Sequence, residues 1–94
     1  MEKNKEIWKV SLKITEWQEA LFPKNTQILS IQVQNNIPCI WFMVDLDETL
    51  ASKMETIKLQ TVGTGMSFSF SPETHKFLGT YQIGGFVGHV FQIL

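Results

Sequence analysis

QILSIQVQNNIPCIWFMV, residues 27–44, is the stretch that decides the fold. In its first half Leu29, Ile31 and Val33 alternate with Ser30, Gln32 and Gln34. A period of two gives a strand one apolar and one polar face. Asn35-Asn36 follows, and asparagine tolerates positive φ better than any residue except glycine, so the pair suits a two-residue hairpin turn. Residues 37–44 then run apolar with no alternation, as a strand covered on both faces does. The stretch therefore reads as a β-hairpin whose second strand is central to its sheet.

Further strands lie on either side. Residues 7–14 set Trp8, Val10, Leu12 and Ile14 against Lys9, Ser11 and Lys13, the pattern of a half-buried strand. Residues 15–22 admit two readings. One is a short helix capped by Thr15, with Gln18 at the capping-box position; the other, preferred, is a strand stopped by Pro23. Residues 45–53 form an acidic connection, a loop or a single helical turn. Ile57 and Leu59 alternate with Lys58 and Gln60 in a strand over residues 55–62, which Gly63-Thr64-Gly65 ends. A loop through Phe68, Phe70 and Ser71-Pro72 leads to a strand over residues 76–83, and Gly84-Gly85 turns the chain into a last strand, 86–93.

Six or seven short strands with little helix predict a mostly β, single-domain chain over residues 1–94, built as a small antiparallel β-sandwich or partly open barrel. The predicted core is Trp8, Val10, Leu29, Ile31, Val33, Ile40, Trp41, Phe42, Val44, Leu59, Tyr81, Val90 and Phe91. With 94 residues, a chain can bury roughly two-thirds of its unfolded surface. Aliphatic and aromatic residues recur throughout, which excludes disorder for the whole chain.

The net charge of −1 supplies no field to draw in nucleic acid. All 8 basic residues are lysines, scattered from Lys3 to Lys76, and arginine is absent. Arginine supplies the planar fork that grips phosphates and guanines, so no nucleic-acid partner is expected. The single cysteine, Cys39, permits no intrachain disulfide and points to a reducing compartment. It sits in an apolar run, where a free cysteine is a small buried hydrophobe. Residues 1–6 are polar with no apolar region behind them, and no apolar stretch nears the ~20 residues that span a bilayer, so neither a signal peptide nor a membrane span is expected.

Catalysis needs a nucleophile near a base, separated carboxylates or a metal. None of these has a signature here, so the sequence reads as a non-enzyme without cofactor or metal. His75 follows a Ser-Pro turn and reads as a solvated loop residue. His89, between Gly88 and Val90, is either a structural strand histidine or a ring that stacks on or donates to a ligand. Asp45, Asp47 and Glu48 resemble the start of a calcium loop but lack its later glycine and glutamate, leaving a solvated acidic loop. Gly63-Thr64-Gly65 is either a plain turn or a nest of exposed amides for an anion, with Thr64 adding a hydroxyl. Trp17 reads as a contact residue and Trp41 as core, since indoles present large amphipathic surfaces.

A further indication comes from ordered motifs along the chain: Ile7-Trp8-Lys9, residues 28–34, Pro38-Cys39-Ile40-Trp41, Val62-Gly63-Thr64-Gly65, residues 78–82 and His89-Val90-Phe91. In this order they resemble a family of short phage and prophage proteins. Members often carry Asn-Gly where this chain has Asn35-Asn36, and a tryptophan where it has Gly88. If position 88 lines a pocket, that pocket is more open here.

The resemblance brings no assigned reaction. It implies a phage origin and work in the host bacterial cytoplasm, where small phage proteins block host functions. Two functions follow. One is a binding module against host defence that sequesters a small anionic, nucleotide-like ligand on Gly63, Thr64, Gly65, Gln82 and His89. The other is an inhibitor docking on a host protein through Trp17, Phe68 and Phe86. A minor virion or assembly component is a third reading. A homo-oligomer is expected, since association buries leftover aromatics and builds pockets between subunits.

Overall fold

The computed structural model describes residues 4–46 and 53–94, so the acidic connection at Asp47 and Glu48 lies outside the described residues. Seven strands follow one another: β1 Lys5–Ser11, β2 Trp17–Pro23, β3 Gln27–Gln34, β4 Ile37–Asp45, β5 Met54–Gly63, β6 His75–Ile83 and β7 Phe86–Ile93. No helix occurs among the described residues, and residues 17–23 take the strand reading. All pairings are antiparallel, in a three-stranded sheet ordered β1-β4-β3 and a four-stranded sheet ordered β2-β5-β7-β6.

The predicted hairpin forms β3 and β4. Asn35 and Asn36 have φ of 53° and 61°, the left-handed pair that a type I′ turn requires. This register turns Pro38, Ile40, Phe42 and Val44 of β4 to one face, where all are buried. From the other sheet Phe22, Ile57, Leu59, Tyr81 and Val90 meet them in one core. Phe22 and Phe42 close the gap edge to face, with ring centroids 4.9 Å apart.

Two bulges change which residues face inward. In β3 the register shifts between Ile28 and Ser30, so Ile28 pairs with Phe42 on the core side while Leu29 is exposed. An extra residue in one strand reverses the alternation behind it, which is why Leu29 leaves the predicted core. In β6 the shift falls between Phe77 and Gly79, sending Phe77 outward and Gly79 inward. A Cβ on Gly79 would lie 3.3 Å from Ile31 Cβ, so its missing side chain admits β3 against β6.

Sheet pairing leaves β1 and β2 at the opposite, unjoined edge. Trp8 shares a face with Phe42 but is exposed there, its indole donating to Glu6 at 2.8 Å. Trp41 points from the outer face of β4, half-buried, with the Lys9 ammonium 5.4 Å from its ring centre. Both leave the predicted core. Leu12, Phe22 and Ile57 join it, and Cys39 is buried as expected. No helix of the described residues is long and apolar enough to cross a membrane.

Ile40 is fully buried, so Ile40→Ala is expected to cost about 2–5 kcal/mol in chemical denaturation. Leu29→Ala should stay within about 0.5 kcal/mol; equal losses would mean that the bulge is misplaced. A second prediction concerns Tyr81, whose hydroxyl is buried without a partner and whose ionisation burial pushes up. The folded chain therefore holds this proton longer than the unfolded one. Its effect on stability is absent below the unfolded tyrosine value, about pH 10, and grows unfavourable as pH rises above it. Tyr81→Phe should match or exceed the parent at neutral pH and lose less stability at high pH. Tyr81 is the single tyrosine, so its ultraviolet ionisation titration checks the direction without assignment.

Candidate functional site

The outer face of the four-stranded sheet collects the polar and aromatic side chains that the core does not use. Val62 of β5 and Thr80 of β6 both pair with His89 of β7, which sets the imidazole between two strands. At the end of β5 the chain turns back on itself. Met66 N–H donates to Gly63 O at 3.1 Å, and Gly65 takes a φ of +86°. A turn with positive φ at its third position is the type II form, which favours glycine there. This turn brings Thr64 Oγ1 to 2.7 Å from His89 Nε2, while Thr80 Oγ1 stands 2.9 Å from Nδ1. Hydroxyls both donate and accept, so two threonines hold the ring whichever nitrogen carries the proton.

Beside this trio lies a hollow of about 250 Å³, walled by Thr64, Gly65 and His89 and by the rings of Phe68, Phe77 and Phe91. Four of the five predicted ligand-site residues, Gly63, Thr64, Gly65 and His89, thus come together. Gln82 does not: it is exposed opposite Val87 and is not part of the wall. Of the amides in the predicted anion nest, Thr64 N–H already donates to Val87 O at 3.2 Å, and the next turn amide along, Met66 N–H, donates to Gly63 O. Gly88 opens no pocket. A Cβ there would lie 2.9 Å from Phe86 Cε2 and from Tyr81 Cζ, so those rings already occupy the space.

The loop of residues 66–74 lies over the rest of the face. Phe68 and Phe70 stand 5.3 and 6.0 Å from Phe91, ring centre to ring centre. Beneath them Gln60 is only 3 % exposed although it points away from the main core. Gln60 Nε2 donates to Glu16 Oε2 at 3.2 Å, and its Oε1 lies 3.2 Å from His75 Nε2. Ser71 N–H donates to His75 Nδ1 at 3.3 Å. A backbone amide can only donate, so Nδ1 is the acceptor and Nε2 carries the proton that Gln60 receives.

His75 is therefore not a solvated loop residue but the half-buried first residue of β6, tying the loop to the sheet. A second hollow of about 360 Å³ opens here among Glu16, Trp17, Lys58, Gln60, Phe68 and His75, with the Lys58 ammonium 5.1 Å from the Trp17 ring centre. Of the predicted interface residues, Trp17 and Phe68 belong to this face. Phe86 does not, because its ring turns to the core side, 6.0 Å from Tyr81.

Gln60, His75 and Phe77 escaped sequence reading. A usable signal was present in residues 66–72, where Met66, Phe68 and Phe70 make the segment too apolar to be a freely solvated loop. Among the described residues no group of three or more His, Cys, Asp or Glu could hold a metal ion.

Fold and site together define a small two-sheet antiparallel β domain with one aromatic, loop-covered outer face. The chain belongs to the family described as a domain of unknown function, DUF7352, whose model matches residues 3–93. No curated protein and no solved structure matches it.

Gln60→Leu should leave the Glu16 carboxylate and His75 Nε2 without their partner. The expected cost is about 1–3 kcal/mol, accompanied by faster amide exchange across residues 66–74. Exchange unchanged from the parent would show that the aromatic rings alone hold the loop.

Proposed function

We propose that this chain is a non-catalytic binding protein and that the hollow beside Thr64 and His89 takes the planar ring of a small ligand. The observation that carries this reading is the pairing of a hydroxyl-held imidazole with three phenylalanine rings at one surface hollow. Aromatic faces stack on any planar heterocycle, and the Thr64 hydroxyl, which has hydrogen-bonding capacity beyond its contact with His89, offers a bond at its edge. A nucleobase-bearing signal fits this chemistry through its base. Its phosphates would find little, since the Thr64 and Met66 amides are engaged and Lys58 lies over Trp17. The setting, a phage countermeasure in the host cytoplasm that lowers a defence signal by sequestration and works as a homo-oligomer, rests on the motif resemblance.

A second reading has an observation of its own. Trp17, Leu21, Met66, Phe70 and Phe77 are all exposed, with Trp17, Leu21 and Phe77 on the outer sheet face and Met66 and Phe70 in the loop above it. Apolar exposure on that scale suits a protein partner, here a host defence protein that the chain would inhibit.

Calorimetric titration with adenosine, adenosine monophosphate, ADP-ribose and a cyclic dinucleotide separates the two. The ring-binding reading expects nucleoside and nucleotide affinities to agree within about threefold, because stacking and edge contacts supply the free energy. Thr64→Val should weaken binding about three- to tenfold, the worth of one neutral hydrogen bond, with thermal stability preserved. No heat with any of the four compounds would reject the ring-binding reading and leave the protein-inhibitor one.

A further inference from the structure

The hollow of about 360 Å³ beside Trp17 has the volume of a small-molecule site and joins two opposite charges, Glu16 and Lys58, to the rings of Trp17, Phe68 and His75. Glu16 is fixed there at two points. Its backbone O accepts from Thr61 N–H at 2.7 Å, and its Oε2 accepts from Gln60 Nε2 at 3.2 Å. Gln60 is buried, so it serves by holding the carboxylate rather than by reaching into the hollow. Glu16 is nonetheless exposed, and it forms no ion pair with any described residue. A carboxylate fixed beside aromatic faces and lacking a counter-ion favours an organic cation.

The chain itself supplies one. Lys58 lines the same hollow and forms no ion pair with a described residue either, although Glu16 shares the hollow and Glu19 is its cross-strand partner in the register. Its ammonium stands over Trp17 instead, 5.1 Å from the ring centre. Tryptophan is the aromatic side chain that holds a cation best. Lys58 is exposed on a flexible four-carbon stem, and Glu19 beside it gives a displaced ammonium another place to rest. An ammonium that can leave without being stranded is a tethered occupant, not a permanent plug.

We propose that this hollow binds a small organic ammonium ion, which takes the place of the Lys58 ammonium over Trp17 and sets its charge against Glu16. The site is separate from the one beside His89, with Phe68 as a shared wall, and does not depend on it. Its chemistry is carried by charge and ring faces together, so a neutral molecule of the same shape is a poor substitute.

Choline is a suitable probe, and its neutral carbon isostere, in which a tert-butyl group replaces the trimethylammonium, is the control. In magnetic resonance titrations choline should produce saturable shifts at the Trp17 indole, the Gln60 side-chain amide and the His75 ring, and should bind more tightly than the isostere. Glu16→Gln keeps an acceptor for Gln60 and removes only the charge. It should weaken choline binding about two- to fivefold, the range of one exposed charge pair, while isostere binding holds. Lys58→Ala should strengthen choline binding by a similar factor, because the competing ammonium is gone. Lys24→Ala, which removes the same charge outside the hollow, should leave it unchanged. Equal affinity for choline and its isostere would overturn the proposal. So would an unchanged or lower affinity in Lys58→Ala, an equal gain in Lys24→Ala, shifts confined to Thr64 and His89, or no saturable shift at any soluble concentration. If Glu16→Gln loosens the loop of residues 66–74, Lys58→Ala alone decides.

Discussion

The constraint on which the rest of this structure depends is the two-residue turn at Asn35-Asn36. Both residues sit in the left-handed region, and that geometry fixes how β3 and β4 pair. Register in a sheet is all or nothing: a slip of one residue would turn Ile40, Phe42 and Val44 away from the core and bring Trp41 and Met43 inward. With the register set, β4 offers an unbroken row of buried side chains to the second sheet. Everything that touches that row, from Phe22 to Val90, then has a defined place.

How far the sequence could be read follows from what each feature depends on. The hairpin was legible because alternation and an asparagine pair are local signals. The strand count and the two-sheet antiparallel class followed from the same kind of evidence. The bulges were not legible. Nothing in residues 27–34 marks Leu29 as the one that breaks step, because Ile28 and Leu29 are equally apolar and the choice belongs to the pairing with β4. Trp41 was misplaced for a related reason: an apolar run says that a strand is central but not how thick the cover on its outer face is. Here that cover is partly a lysine chain.

The site divides along the same line. Thr64 and His89 could be singled out by residue type, and a turn plus a strand pairing brought them within hydrogen-bonding distance. His75 and Gln60 could not, since their contact depends on the loop of residues 66–74 folding back over the sheet. A glutamine in the outward register of a strand reads as solvated. Only a lid of phenylalanines makes it one of the most buried polar residues among those described. The lysines are also less available than a count suggests. Lys9 and Lys58 lie over tryptophan rings on the two outer faces, and Lys5 is 3.8 Å from Asp45. Their positive charge is therefore partly answered within the chain.

The unjoined edge between β1 and β2 bears on how copies of this chain can meet. A bare strand edge is a template for another strand, and proteins guard such edges with charge and proline. Lys5, Glu6 and Lys9 stand along β1, and β2 carries Glu19 and closes on Pro23, which has no N–H to give. At the sheets' other margin, β3 and β6 shield one another. Strand-to-strand addition, the route to open-ended fibres, is thus discouraged at both margins. Self-association of this fold is steered to its side-chain faces, where symmetry can close it into a finite assembly.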